Sequence, residues 1–240
     1  MDRRRARESL AQENALMAFH AEVMPAAQQR MLRQLGAFAT ERDFYLGGGT
    51  AIAIQLGHRR SVDLDWFTPG EIAEPLGLSM ELRRSGFAFE VTSVEEGTLH
   101  GEVEGVKLSF LEYRYPALIP PVEWTEYGCR LAALEDLACM KLSAIGDRGA
   151  KKDFIDIYAL GRTHFTLEQM LDFYQHKFGT SDIAHTIMAL TYFDDAEEED
   201  MPEMLWDVEW QEVKHAIEGW VRNYVRQQAP PRRGGRGPLP

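Results

Sequence analysis

The stretch from Phe44 to Phe67 constrains the fold more than any other part of the chain. Phe44-Tyr45-Leu46 is short and aromatic, which predicts a strand, and it runs directly into Gly47-Gly48-Gly49. Thr50 can cap the next segment, Ala51 to Gly57, a short helix ended by a glycine. Val62-Asp63-Leu64-Asp65-Trp66-Phe67 then alternates with period two and predicts a second strand, stopped by Thr68-Pro69-Gly70. Asp63 follows Gly49 by fourteen residues with one short helix between, enough to bring the second strand back beside the first.

Around this unit the pattern is mixed. Apolar residues recur at helical spacing from about Glu8 to Gln34, with Pro25 dividing two helices. Glu74 to Ser85 predicts a helix. Phe87 to Thr92, Thr98 to Glu104 and Val106 to Tyr113 predict an antiparallel meander, and Pro116 to Pro121 a loop. Helices are expected over Leu134 to Ile145 and Lys152 to Leu160, and everything from Thr166 onward is helical in character except the acidic run Asp194 to Asp200. The fold class is therefore α+β: a small mixed sheet with flanking helices, followed by a helical C-terminal lobe. The expected division is a first domain over 1–165, a helical lobe over 166–228 and a disordered tail over 229–240, where proline, glycine and arginine replace apolar anchors.

Composition narrows the class without choosing within it. Hydrophobic residues make up 45% of the 240 and charged residues 27%, an ordinary balance for a globular protein. No stretch approaches the roughly 18–20 apolar residues of a membrane span, and the basic start lacks the apolar run of a signal peptide. Two cysteines, Cys129 and Cys139, make neither a disulfide framework nor a zinc site, and a cytoplasmic location is expected. The formal charge of −12 excludes a chain coated in positive potential, yet it leaves room for a local basic site. Only six of the 26 basic residues are lysines, and Lys141, Lys151 and Lys152 fall within twelve positions.

The glycine turn and the aspartates suggest chemistry together rather than singly. Glycines between a strand and a helix let backbone approach a phosphate closely, and a helix start offers unpaired N–H groups. Such turns are common, however, in proteins that bind no phosphate. Asp63 and Asp65 stand two apart on a strand, so both carboxylates emerge on one face. Aspartate is disfavoured in strands, and two on one face repel unless a cation lies between them. The plain alternative is a solvated edge-strand face. Two carboxylates are what Mg²⁺ prefers when substrate phosphates complete its shell. A triphosphate held at Gly48–Thr50 would lie against such a metal, ready for in-line attack on phosphorus.

Two later segments have their own logic. Apolar positions 134, 137, 138, 142 and 145 define a helical stripe into which Lys141 falls. A lysine there needs an anion or a route to water along its stem. Asp153 and Asp156 lie three apart on one side of the next helix, where a surface Lys152–Asp156 pair is the bland alternative.

These blocks resemble the AbiEii/AbiGii nucleotidyltransferase toxins, which share the DNA polymerase β-type core. The resemblance rests on Phe44-x-Leu46-Gly-Gly-Gly-Thr50-Ala51, His58-Arg59-x-Ser61-x-Asp63-Leu64-Asp65-x-Phe67, Leu134-Glu135-Asp136-Leu137-Ala138-x-Met140-Lys141 and Arg148 to Asp156. It implies that Gly48, Gly49 and Thr50 hold nucleotide phosphates, with Arg59 and Ser61 beside them. Asp63 and Asp65 would bind Mg²⁺. Lys141, Lys152, Asp153 and Asp156 would complete the pocket, one of those last aspartates assisting deprotonation of the acceptor. It also implies transfer of a nucleoside monophosphate from NTP to RNA, tRNA-like, or to protein, by the toxin of a type IV system with a winged-helix antitoxin. One departure stands out. Polymerase β-type enzymes usually carry a third carboxylate on a neighbouring strand, where this chain has Ser109, with Glu104 and Glu112 as the nearest substitutes. A catalytically degenerate nucleotide-binding regulator or scaffold is therefore the alternative.

The remaining features point to structure. His176, His185 and His215 read as surface residues, His58 as a neighbour of the site, and the acidic run as a solvated loop. Trp206, Trp210 and Trp220 read as packing residues.

Overall fold

The computed structural model describes residues 18–228. The expected helix before residue 18 and the expected tail over 229–240 lie outside the described residues. One seven-stranded mixed sheet organises the chain: β1 (Tyr45–Leu46), β2 (Leu64–Thr68), β3 (Glu90–Glu95), β4 (Thr98–Val103), β5 (Val106–Glu112), β6 (Val122–Trp124) and β7 (Cys129–Leu131). Its order is β3-β4-β5-β2-β1-β7-β6. β3, β4 and β5 form the expected antiparallel meander. β5 runs parallel to β2, β2 antiparallel to β1, and β1 parallel to β7.

Alternation along the central strands sorts the two faces. Leu64, Trp66, Leu99, Val103, Val106, Leu108 and Phe110 are buried and face the helices α1 (Ala26–Glu41) and α3 (Pro75–Arg84). Asp65, Phe67, His100, Glu102, Lys107 and Ser109 alternate with them, so they occupy the opposite face. That second face carries the polar chemistry. α2 (Gly48–Leu56) is apolar nearly all round and buried, with Ala51, Ile52, Ala53 and Ile54 wholly covered; Gly57 ends it in the left-handed conformation.

α4 (Leu134–Asp147) and α5 (Lys151–Thr163) cross α2 and each other. α6 (Leu167–Phe178) packs along α4 and starts with a capping box between Thr166 and Gln169. The short α7 (Ala184–Ala189) and α8 (Asp194–Glu197) and the long α9 (Trp210–Gln228) complete the C-terminal helices. Among the described residues no helix is long and apolar enough to cross a membrane.

The acidic run is solvated as expected, its acidic residues all exposed, but part of it is helical rather than loop. Asp194–Glu197 is a helical turn, and the residues after it are tied down. The Glu199 carboxylate accepts from the Lys151 backbone N–H at 2.7 Å, and its carbonyl accepts from the Lys151 ammonium. Glu197 accepts from the Trp210 indole at 3.1 Å and pairs with Lys214. The tryptophans pack as expected. Trp210 meets Phe154 and Phe193, and Trp220 lies parallel to the Tyr158 ring over Gly161, whose lack of a side chain admits it.

Candidate active site

The turn between β1 and α2 is built around atoms that a side chain would displace. Gly48 has φ of +63°, and a Cβ there would come within 2.8 Å of Asp65 Oδ2. A Cβ on Gly49 would come within 2.3 Å of Arg59 Nη2. The Gly47 N–H donates to the Asp65 carbonyl at 2.8 Å, which fixes the turn against β2. Thr50 closes the other side: its hydroxyl bonds Ser61 Oγ at 2.7 Å and donates to the Asp63 carbonyl. Glycine turn, Ser61 and both aspartates are thus one unit, held by contacts among its own members.

Asp63, just before β2, and Asp65, within it, both line a cleft of about 1370 Å³ that Gly48, Gly49, Thr50, Arg59 and Ser61 also line. Burial raises the Asp65 carboxyl above the usual carboxylate range, and the nearby Asp63 adds to that, against the Ser109 hydroxyl, Lys141 and Lys152. Two acidic groups that repel each other beside a glycine turn are a fit for a divalent cation. Among the described residues no cluster of three His, Cys, Asp or Glu side chains is placed to hold a metal. Substrate oxygens would have to complete the shell, which is the habit of Mg²⁺.

Behind the cleft lies an ionic hub. Asp156 and Asp153 are both 0% exposed. Asp156 accepts from Arg59 Nε at 2.7 Å and Nη2 at 2.8 Å, from His58 Nε2 at 2.8 Å, and pairs with Lys141 Nζ at 2.7 Å. Lys141 Nζ also donates to Asp153 at 2.7 Å, and Arg148 forks onto Asp153 at 2.8 and 3.0 Å. Burial alone would raise the Asp156 carboxyl; Arg59 and Lys141 overcome it and hold the group well below the usual range. Asp153 is likewise lowered by Lys141 and Arg148 against its own burial. Burial lowers His58, so its ring is neutral, and the partnerless buried Nδ1 fits a proton on Nε2.

This geometry revises four readings of the sequence. Asp153 and Asp156 do not line the cleft; both are buried in ion pairs that hold their carboxyls below the usual range, which makes them weak bases. The anion that satisfies Lys141 is this pair of aspartates; the lysine is 4% exposed and reaches the cleft only as part of its wall. Lys152 forms no pair with Asp156, and it lies exposed on the rim. His58 is wholly buried in the hub rather than merely adjacent to the site.

The third-carboxylate position is also resolved. Ser109 stands beside Asp65 in register. Glu112 pairs with Thr68 and accepts from the Ile72 N–H, while Glu104 sits in the β4–β5 turn with positive φ. Neither reaches the cleft. Two residues on the wall went unread in the sequence, Arg60, which pairs with Glu203 at 2.6 Å, and His100, whose Nδ1 lies 3.0 Å from Ser109 Oγ; Arg148 stood in one of the resembling blocks but was given no role. For His100 the usable signal was cross-strand register with Ser109 in the predicted meander.

A mixed sheet with a glycine turn and two aspartates facing one cleft is a nucleotidyltransferase-type fold. The fold is shared with MenT4, a nucleotidyltransferase toxin of Mycobacterium tuberculosis H37Rv, at TM-score 0.54 and 17% identity over 88% of this chain and 89% of that one. ANT(2")-Ia, solved in complex with adenylyl-2"-tobramycin, matches at TM-score 0.50 and 16% identity, covering 64% of this chain and 98% of its own. An uncharacterized protein of Aquifex aeolicus strain VF5, aq_aa25, is 35% identical over 205 residues, 82% of this chain and 96% of that protein. The family described as "Nucleotidyl transferase AbiEii toxin, Type IV TA system" matches residues 79–219. The chain belongs to this AbiEii nucleotidyltransferase toxin family. The matched span contains the whole ionic hub apart from His58 and Arg59, and it starts beyond the glycine turn and the aspartate pair.

Proposed function

We propose that this chain transfers a nucleoside monophosphate from an NTP to a hydroxyl of an RNA acceptor, tRNA-like, and releases pyrophosphate. The observation that carries the reading is the contact between the glycine turn and the aspartate pair: Gly48 leaves room for the Asp65 carboxylate, and both aspartates face the cleft that the turn opens into. Asp63 and Asp65 hold Mg²⁺, which when bound offsets the charge of the phosphates and of the aspartates themselves. The N–H groups of Gly48, Gly49 and Thr50 and the Arg59 guanidinium take the β- and γ-phosphates at the start of α2. Ser61 keeps Thr50 oriented. Lys152 and Arg148 supply further positive charge at the rim. Asp156 and Asp153 act as positioning residues, since they fix Arg59, Lys141 and Arg148 and touch no substrate themselves. The reaction is cytoplasmic, and the chain is the toxin half of a pair whose partner is a winged-helix antitoxin.

The test is incubation of the full chain with each labelled NTP, Mg²⁺ and total RNA. Wild type labels RNA, and Asp63→Ala abolishes the label while the thermal melt stays unchanged. Equal labelling by Asp63→Ala removes the metal assignment, and label appearing in protein bands instead redirects the acceptor to protein. The Ser109 position favours one other reading, a degenerate NTP-binding regulator. Tight NTP·Mg²⁺ binding by calorimetry with no transfer to RNA or protein selects that reading.

A further inference from the structure

Sheet order gives the cleft a direction. The phosphate turn follows β1, on one side of β2, while β5 and then β4 lie on the other side. In-line displacement needs the attacking hydroxyl opposite the leaving pyrophosphate across the α-phosphorus. With β- and γ-phosphates on the β1 side, the acceptor hydroxyl must enter from the β5–β4 side. This step rests on the transferase reading above. The side chains on the cleft face there include Ser109, in register with Asp65, and His100, in register with Ser109, with Lys107 and Glu102 further along the same strands.

His100 is half-buried, lines the cleft, and is tethered through Nδ1 to Ser109 Oγ at 3.0 Å. When Nδ1–H donates to Ser109 and the Ser109 hydroxyl donates onward to Asp65, Nε2 is left unprotonated and able to accept. Glu102, two residues further along β4, also lines the cleft, but it stands in register with Lys107 rather than with Ser109. The other charged groups around the ring are Lys107 and Glu102, which face each other across β5 and β4, Glu90 and Glu95 on the edge strand β3, and Asp65 beyond Ser109.

We propose that His100, oriented by Ser109, is the catalytic base of an acceptor-hydroxyl site on β4 and β5, one strand beyond the Ser109 position where a third carboxylate would otherwise be. His100 Nε2 takes the acceptor proton as the acceptor oxygen bonds to the α-phosphorus. The bond from that phosphorus to the α,β-bridging oxygen breaks, and pyrophosphate leaves with the electron pair. Ser109 is a positioning residue, because it acts only through the imidazole. The acceptor class is a hydroxyl nucleophile.

His100→Asn tests this, because its amide can keep the bond to Ser109 while accepting no proton. Transfer to total RNA is expected to fall at least about 100-fold, in the range that a positioned base contributes. NTP·Mg²⁺ affinity by calorimetry should stay within about twofold of wild type. Added imidazole should restore part of the rate, and Ser109→Asp in the His100→Asn background should recover about tenfold by supplying a carboxylate. Transfer within about threefold of wild type overturns the inference, as does a parallel loss of NTP affinity, or a rate loss that neither imidazole nor Ser109→Asp relieves. Wild-type transfer that Asp63→Ala abolishes and His100→Asn leaves intact removes this inference alone. Absence of any wild-type transfer removes both readings.

Discussion

Asp156 is the residue on which the site depends most, although it faces no cleft. It compensates Arg59 and part of Lys141 in an interior where an unpaired charge is costly. Asp156→Asn keeps the shape and removes the charge. Arg59 then faces an amide, and the expected loss is about 3–5 kcal/mol of folding stability, as when one partner of a buried pair is removed. Urea denaturation measures it, and a loss below about 1 kcal/mol would show that water or another anion already serves Arg59. The same hub sets an acid limit. The folded His58 is held below its ordinary value by burial, so below about pH 6.5 the unfolded chain binds a proton there that the folded chain does not. Stability therefore falls as pH drops through that region, and His164, also lowered by burial, contributes with the same sign. Asp156, held low by Arg59 and Lys141 despite its burial, adds a second fall below about pH 4, where the unfolded carboxyl protonates first. A melting temperature flat between pH 7 and pH 5 would contradict the first part, and His58→Gln should flatten it.

At the scale of elements, the β1–α2–β2 unit was legible because several local signals coincide: an aromatic strand, three glycines and a period-two run. Thr50 is not the expected cap, because the helix starts at Gly48 after Gly47 and the Thr50 hydroxyl turns to Ser61 and the Asp63 carbonyl. β6 and β7 were not, since Val122–Trp124 and Cys129–Leu131 each alternate for only three residues, too short for periodicity to separate from chance. The site divides the same way. That Lys141 needed an anion followed from its place in an apolar stripe, but which anion depends on how α4 crosses α5, and the crossing brings Asp153 and Asp156 to it. A Lys152–Asp156 pair was reasonable from helical spacing, yet burial of one face of α5 turns Asp156 inward and leaves Lys152 outside. Register likewise, not spacing in sequence, puts His100 beside Ser109. The element also carries a test of its own. Gly49→Ala would drive a methyl into Arg59 Nη2, 2.3 Å away, with Asp156 Oδ2 behind it at 3.4 Å. Alanine favours the helix that begins here, but the displaced guanidinium is held by the buried Asp156, so the melting temperature should also fall, in the direction of Asp156→Asn. NTP·Mg²⁺ affinity should drop at least about tenfold as Arg59 leaves the phosphate end of the turn. Unchanged affinity would show that Arg59 takes no part in binding.

For the whole molecule the net charge is −12, and the cleft brings Arg60, Lys107, Arg148 and Lys152 together among the carboxylates of Glu102, Asp147, Asp182 and Glu203 that also line it. Arg60 and Arg148 already face Glu203 and Asp153, whereas Lys107 and Lys152 have no ion pair among the described residues. On the RNA-acceptor reading, the strand is held by few phosphate contacts near the cleft, while the remaining surface repels it. Screening at physiological salt reaches only about 8 Å, so the two fields act separately. Each phosphate neutralised on a single strand contributes about −0.7 to the slope of log affinity against log salt. Two unpaired lysines, with at most the two arginines added, therefore give a slope between about −1 and −3. Filter binding of labelled total RNA from about 50 to about 200 mM salt measures that slope. Lys152→Ala should make it shallower by about 0.7 while leaving the melting temperature unchanged, because the residue is exposed and bears no buried pair. A slope near −5, or one that Lys152→Ala does not alter, would mean that RNA is gripped elsewhere, and the cleft rim would lose its place as the strand's point of contact.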